Sequence, residues 1–124
     1  MPRILVVEDD PSNADVIQQI LESEDFQVES IDGTEIIDES IDSFSPDLIL
    51  MDILLPTGDG RLICNSIKEN PDTKEIPVML ITAMLESEIP RIPCIPDAIM
   101  LKPFDYQKLT RTVKKLIHKR GRYS

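Results

Sequence analysis

Five short runs of apolar residues, each bounded by turn-forming or acidic residues, divide the chain: RILVV at 3–7, FQVESI at 26–31, DLILM at 47–51, VMLIT at 78–82 and AIML at 98–101. Their length and β-branched content predict strands. Between them, apolar residues fall three and four apart, the spacing of one helix face. Val16, Ile17, Ile20 and Leu21 follow Asp10 and Pro11, an N-cap and first-turn proline. Ile36, Ile37 and Ile41 form a second set; Leu62, Ile63 and Ile67 follow Asp59; Leu109, Val113, Leu116 and Ile117 follow Asp105.

Strand and helix therefore alternate, and DLILM and VMLIT are apolar at nearly every position, as befits parallel strands covered on both faces. The expected class is α/β, an open sheet doubly wound with helices. One stretch breaks the rhythm. AMLESEIPRIPCIPD, between Thr82 and Ala98, carries Pro90, Pro93 and Pro96, and a helix interior cannot hold that run. It predicts a turn of helix before Pro90 and then an extended, polyproline-like path with its Ile residues on one side.

The chain has 124 residues and a formal charge of −10. That length suits one domain, expected over residues 1–124 with no output domain. All 23 acids precede residue 111, whereas 111–124, RTVKKLIHKRGRYS, holds six of the 13 Lys/Arg. An acidic body repels nucleic acid. The basic end suits either an acidic partner or the C-terminus of a helix. No apolar run approaches the roughly 20 residues of a membrane span, and MPRILVV lacks a cleavage signal. The expected location is the cytoplasm. Cys64 and Cys94 have no CxxC spacing or His-rich company, which leaves reduced structural thiols.

In open parallel sheets, chemistry collects beyond the carboxyl ends of the strands. There the chain places Glu8, Asp9 and Asp10 after the first strand, Asp52 after the third, Thr82 after the fourth, and Lys102 with Pro103 after the fifth. Crowded carboxylates repel each other, and a divalent cation with hard oxygen ligands, such as Mg²⁺, relieves the repulsion. Taken singly, each residue has a plain structural reading: Asp10 caps a helix, Thr82 is a β-branched strand residue, Lys102 is a solvated lysine. Together they recur at strand ends in order.

ILVVEDDP, DLILMDILLPTGDG, PVMLITA and MLKPF resemble the receiver domain of two-component response regulators, over almost the whole chain. The resemblance implies a flavodoxin-like sheet of strand order 2-1-3-4-5. It implies that Asp52 accepts a phosphoryl group from the phosphohistidine of a sensor histidine kinase or His-phosphotransfer protein. Mg²⁺ would be bound by Asp9 directly, by Glu8 through water, by Asp52 and by the backbone carbonyl of Leu54. Lys102 would hold phosphoryl oxygens and precede a cis bond to Pro103, and Thr82 would swing to the phosphoryl group. Such a protein signals by altered partner binding or phosphorelay and is not a turnover enzyme. The partner would approach over Asn13, Ala14, Ile17, Pro103 and Phe104, while Leu54 and Met84 would lie near the path of a hydrolytic water. The alternative is a phosphorylation-independent adaptor of the same fold. A flavin carrier is disfavoured, since acids rather than a Ser/Thr/Gly-rich loop follow the first strand. Two features depart from the family pattern. Ile99 stands where an aromatic residue is common, and IPRIPCIP occupies the place of the fourth helix, which is expected to be degenerate or missing.

Overall fold

The computed structural model describes residues 1–121, and the side chains up to residue 119. Five parallel strands, β1 (Arg3–Val7), β2 (Gln27–Ile31), β3 (Leu48–Asp52), β6 (Val78–Thr82) and β7 (Ala98–Leu101), form one sheet in the order β2-β1-β3-β6-β7. Counting these five alone, that is the 2-1-3-4-5 order of flavodoxin-like folds. A two-stranded hairpin, β4 (Leu54–Leu55) with β5 (Gly58–Asp59), lies just beyond β3. Strands this short carry no periodic signal, and sequence reading places only a turn there.

Period-two alternation sends the two faces of the sheet into separate cores. Leu5, Val7, Ile49, Met51, Val78 and Leu80 pack on one side with α2 (Ile37–Phe44) and α3 (Gly60–Glu69). Ile4, Val6, Leu48, Leu50, Met79 and Ile81 pack on the other with α1 (Pro11–Ser23) and α4 (Tyr106–Gly121). Both sets are fully buried. Truncating one such residue to Ala costs about 2–5 kcal/mol.

The helices begin where the capping residues predict. The Asp10 carboxylate accepts from Ser12 N–H, Asp59 from Arg61 N–H, and Asp105 from Gln107 N–H. After Asp10, α1 buries Ala14, Ile17 and Leu21 along one face. Cys64 is buried in the α3 core and Cys94 half-buried; desolvation pushes the Cys64 thiol up to about 11, so both read as inert structural thiols. Lys114 pairs with Glu24, the C-cap of α1, at 2.5 Å, which ties part of the basic C-terminal run to the body. Arg122 of that run lies outside the described residues. Among the described residues no helix is long and apolar enough to cross a membrane.

In place of a fourth helix the chain makes a 3₁₀ turn, Glu86–Arg91, and then an extended strap to β7. The turn runs through Pro90 instead of stopping before it. A 3₁₀ turn tolerates proline near its end, and the Arg61 guanidinium on α3 caps the Glu88 and Ile89 carbonyls of its last turn, both at 3.0 Å. The strap also corrects the expected polyproline-like path. Ile92 has β-region dihedrals (φ −116°, ψ 106°), and burial alternates from residue to residue, with Ile92, Cys94 and Pro96 turned inward. Ile residues therefore do not share a side: Ile89 is buried and Ile95 is 83% exposed. Without a full helix above it, the Ile99 and Leu101 face of β7 borders an open groove of about 780 Å³, rimmed by Glu86, Pro90, Phe104 and Lys108.

Candidate functional site

Parallel pairing sets the ends of the strands side by side. Val7 is level with Met51, Asp52 with Ile81, and Thr82 with Leu101. The residues that follow thus meet at one edge. Carboxylate oxygens of Glu8, Asp9 and Asp52 lie within 4.8 Å of one another. Glu8 and Asp52 are buried, while Asp9 is exposed and opens the cluster to solvent.

Lys102 enters from the end of β7, anchored by its N–H to Thr82 O at 2.7 Å and followed by a cis bond to Pro103. Its ammonium donates to Glu8 Oε1 and Asp52 Oδ2, each at 2.8 Å. The other Asp52 oxygen, Oδ1, accepts from Leu54 N–H at 3.0 Å. Burial pushes the Glu8 carboxyl above its ordinary value, with the Lys102 hydrogen bond acting against that shift. Burial alone would lower the Lys102 ammonium, but its bonds to Asp52 and Glu8 outweigh it and the group is raised. These directions describe a cluster in which the ammonium keeps its charge while Glu8 gives up its own more readily than an ordinary glutamate.

Three ionised carboxylates against one ammonium leave an excess of two negative charges. The donor set is all hard oxygen, and the Asp9 side is open to water. That combination fits a divalent cation of the Mg²⁺ kind, which takes a few carboxylates and keeps waters for the rest.

Of the other expected residues, Thr82 is fully buried at the same edge, and its Oγ1 accepts from Met84 N–H at 2.9 Å. Leu54 projects outward, 53% exposed, while Met84 packs partly against the α3-side core. A groove of about 350 Å³ beside Lys102 is lined by Asn13, Val16, Ile17, Ala83, Pro103, Phe104 and Tyr106. Ala14 and Ile17 are core residues; the exposed large apolar side chains here are Val16, which the helical spacing groups with Ile17 on one face, and Tyr106, which sequence reading did not single out. Their side of the helix face follows only once the axis is placed against the sheet.

Sequence reading also missed the polar stripe of α3. Arg61 is buried between Asp59 and the 3₁₀ turn, Asn65 donates to Pro93 O at 2.8 Å, and Lys68 donates to Asp97 Oδ2 at 2.7 Å. Spacings of four and three mark these residues as one stripe. What the stripe faces was not legible, because the facing segment has no period of its own.

Known proteins share both the sequence and the architecture. The family model for the response regulator receiver domain matches residues 4–114. The DNA-binding dual master transcriptional regulator RpaA of Synechocystis is 31% identical over 98% of this chain and 52% of that protein. The chain spans about half the length of the first curated relatives it matches. A signal receiver domain of a histidine kinase from Syntrophus aciditrophicus superposes with a TM-score of 0.89 at 31% identity, covering 96% of this chain and 92% of that one. The receiver domain of the sensor histidine kinase PA1611 from Pseudomonas aeruginosa, solved with a magnesium ion in its active-site cleft, superposes at 0.82 with 28% identity, covering 94% and 97%. On these matches, and on a sheet order and acidic edge that agree with them, the chain belongs to the receiver-domain family of two-component response regulators.

Proposed function

We propose that this chain is a phospho-accepting receiver in which Asp52 takes the phosphoryl group of a partner's phosphohistidine. The observation that carries the reading is the double anchoring of Asp52, with Oδ1 on Leu54 N–H and Oδ2 on Lys102, beside the Glu8 and Asp9 carboxylates. A carboxylate so held is oriented for attack and needs no reorganisation. In the transfer a new Asp52 O–P bond forms, the P–N bond breaks, and the electron pair stays on the imidazole.

Asp9, Glu8, Asp52 and the Leu54 carbonyl are the groups that would hold Mg²⁺, which when bound neutralises charge on the transferring phosphoryl oxygens. Lys102 holds Asp52 before transfer and a phosphoryl oxygen after it. Thr82, one residue beyond the level of Asp52, offers its hydroxyl to the same oxygens. The groove of Asn13, Val16, Ile17, Pro103, Phe104 and Tyr106 beside Lys102 suits the apolar flank of the helix that bears the histidine. The protein assists its own phosphorylation and dephosphorylation without turning over a substrate, in the cytoplasm, and passes the signal on by altered binding or phosphorelay.

Intact-mass measurement after treatment with phosphoramidate and Mg²⁺ tests this. One phosphoryl group is expected on the parent and none on Asp52→Asn. A folded parent that gains no mass would leave the second reading, an adaptor independent of phosphorylation, which is favoured only by the strap's fixed attachment to α3.

A further inference from the structure

The helix α3 touches two things at once. At its start it abuts the acidic site: a Cβ added at Gly60 would stand 2.5 Å from Asp52 O, Gly60 N–H donates to Ile53 O at 2.8 Å, and Leu54 pairs with Asp59 across the hairpin. Along one stripe it grips the segment that replaces the fourth helix, through Arg61, Asn65 and Lys68. Arg61 belongs to both ends. Its Nε and one terminal nitrogen bind the two oxygens of Asp59 at 3.0 and 2.7 Å, and its other terminal nitrogen reaches the Glu88 and Ile89 carbonyls.

We propose that the Asp59–Arg61 pair is the coupling device of this protein: a change at Asp52 reaches residues 86–97 through the turn 53–61 and the Arg61 fork. The inference rests on the reading of Asp52 as phospho-acceptor. Its physical basis is that leucine-to-aspartate pairing in the hairpin ties the position of Asp59 to that of Leu54, whose N–H holds Asp52 Oδ1. Any displacement of Leu54 as Asp52 gains a bulky dianion is passed to Asp59. A planar guanidinium locked on both oxygens of that carboxylate must follow it, and the two carbonyls move with the guanidinium. The strap surface, with Ile95 exposed and the Ile99 groove beside it, is then a pre-formed face whose position is adjusted, with no helix to form. Asp59 and Arg61 are positioning residues and touch no reacting atom.

Backbone amide shifts of residues 86–97, followed with and without phosphoramidate and Mg²⁺ while intact mass reports phosphoryl uptake, test the inference. The parent is expected to show a phosphorylation-dependent change there. Arg61→Lys keeps the charge but not the fork, and Asp59→Asn keeps the helix cap but not the ion pair; both are expected to take up phosphoryl and lose the change at 86–97. Asn65→Ala loosens the strap without cutting this link and is expected to retain it. A change that survives in Arg61→Lys and Asp59→Asn, or that is lost equally in Asn65→Ala, overturns the inference, as does a fully phosphorylated parent whose 86–97 amides do not move. A parent with no phosphoryl uptake overturns instead the reading on which this one rests.

Discussion

Lys102 donates to Asp52 at 2.8 Å across fifty residues of chain, and the contact is made between side chains only 17% and 8% exposed. The ammonium is therefore the counter-charge of a largely buried acid, not a surface lysine. Lys102→Met should lower metal-free stability by about 2–3 kcal/mol, since removing one partner leaves buried carboxylates uncompensated. Part of the loss is expected to return in millimolar Mg²⁺. Urea denaturation with and without the metal measures both; a variant as stable as the parent without metal would show that the pair is energetically idle.

Asp9 is exposed, and among the described residues it makes no buried contact that its loss would orphan, so Asp9→Ala should unfold no more easily than the parent. It should still lose Mg²⁺ binding, because the cluster keeps only two carboxylates and both already face Lys102. Calorimetric titration of Mg²⁺ and phosphoryl uptake are expected to fall together. Unchanged uptake in this variant would remove Asp9 from the site.

The Arg61 hydrogen bonds hold the Asp59 carboxyl below its ordinary 3.8, against a smaller opposing effect of burial. A folded-state value below the unfolded one gives stability that is full above the unfolded value and disappears as pH falls through the folded one. The stability gap between the parent and Asp59→Asn should thus be constant near neutrality and close only below about pH 4. Denaturation curves from pH 7 down to pH 2.5 test the sign: a gap that closed on raising the pH would contradict it.

Gly60 is required by proximity. An added Cβ would meet two backbone groups, Asp52 O at 2.5 Å and Ile53 Cα at 2.9 Å, neither of which can rotate away. Gly60→Ala should cost about 2–3 kcal/mol and slow phosphoryl uptake, because the atoms that must yield are those of the acceptor itself. Thermal denaturation and uptake rates are the measurements, and a loss of stability with normal uptake would separate the two effects.

Leu54 stands at the rim of the site with a side chain that cannot orient water. Leu54→Asn is expected to speed loss of the phosphoryl group, and Leu54→Asn with Met84→Glu to speed it further. Met84 contributes less, since it packs partly on the core. Time courses of phosphate release would contradict this if the parent already matched the double variant.

The sheet was legible because a strand buried on both faces is apolar at every position. β1, β6 and β7 fall at the expected residues, β2 starts one residue later than expected, and β3 shifts by one. The helix starts were legible because Asp10, Asp59 and Asp105 cap through their own side chains. The cluster of Glu8, Asp9, Asp52 and Lys102 followed from strand ends meeting at one edge. What was not legible depended on contacts without period: the course of the strap, the outward turn of Ile95, and the burial of Arg61, whose carboxylate partner and carbonyl acceptors lie on different segments. Prolines showed that a regular helix could not form at 89–96. They did not show that side chains of a neighbouring helix would hold the carbonyls the helix would otherwise have satisfied.

That manner of holding bears on how such a surface can diversify. At Glu88, Ile89 and Pro93 the accepting atom is a main-chain carbonyl, which every amino acid possesses. These three hydrogen bonds are thus insensitive to the side chains displayed at Glu88 and Pro93, although Ile89 also packs in the core, while Arg61 and Asn65, which make the bonds, lie elsewhere. An exposed position such as Ile95 can be replaced to suit a different partner with the scaffold beneath it unaltered, so that selectivity and architecture are written in separate parts of the chain.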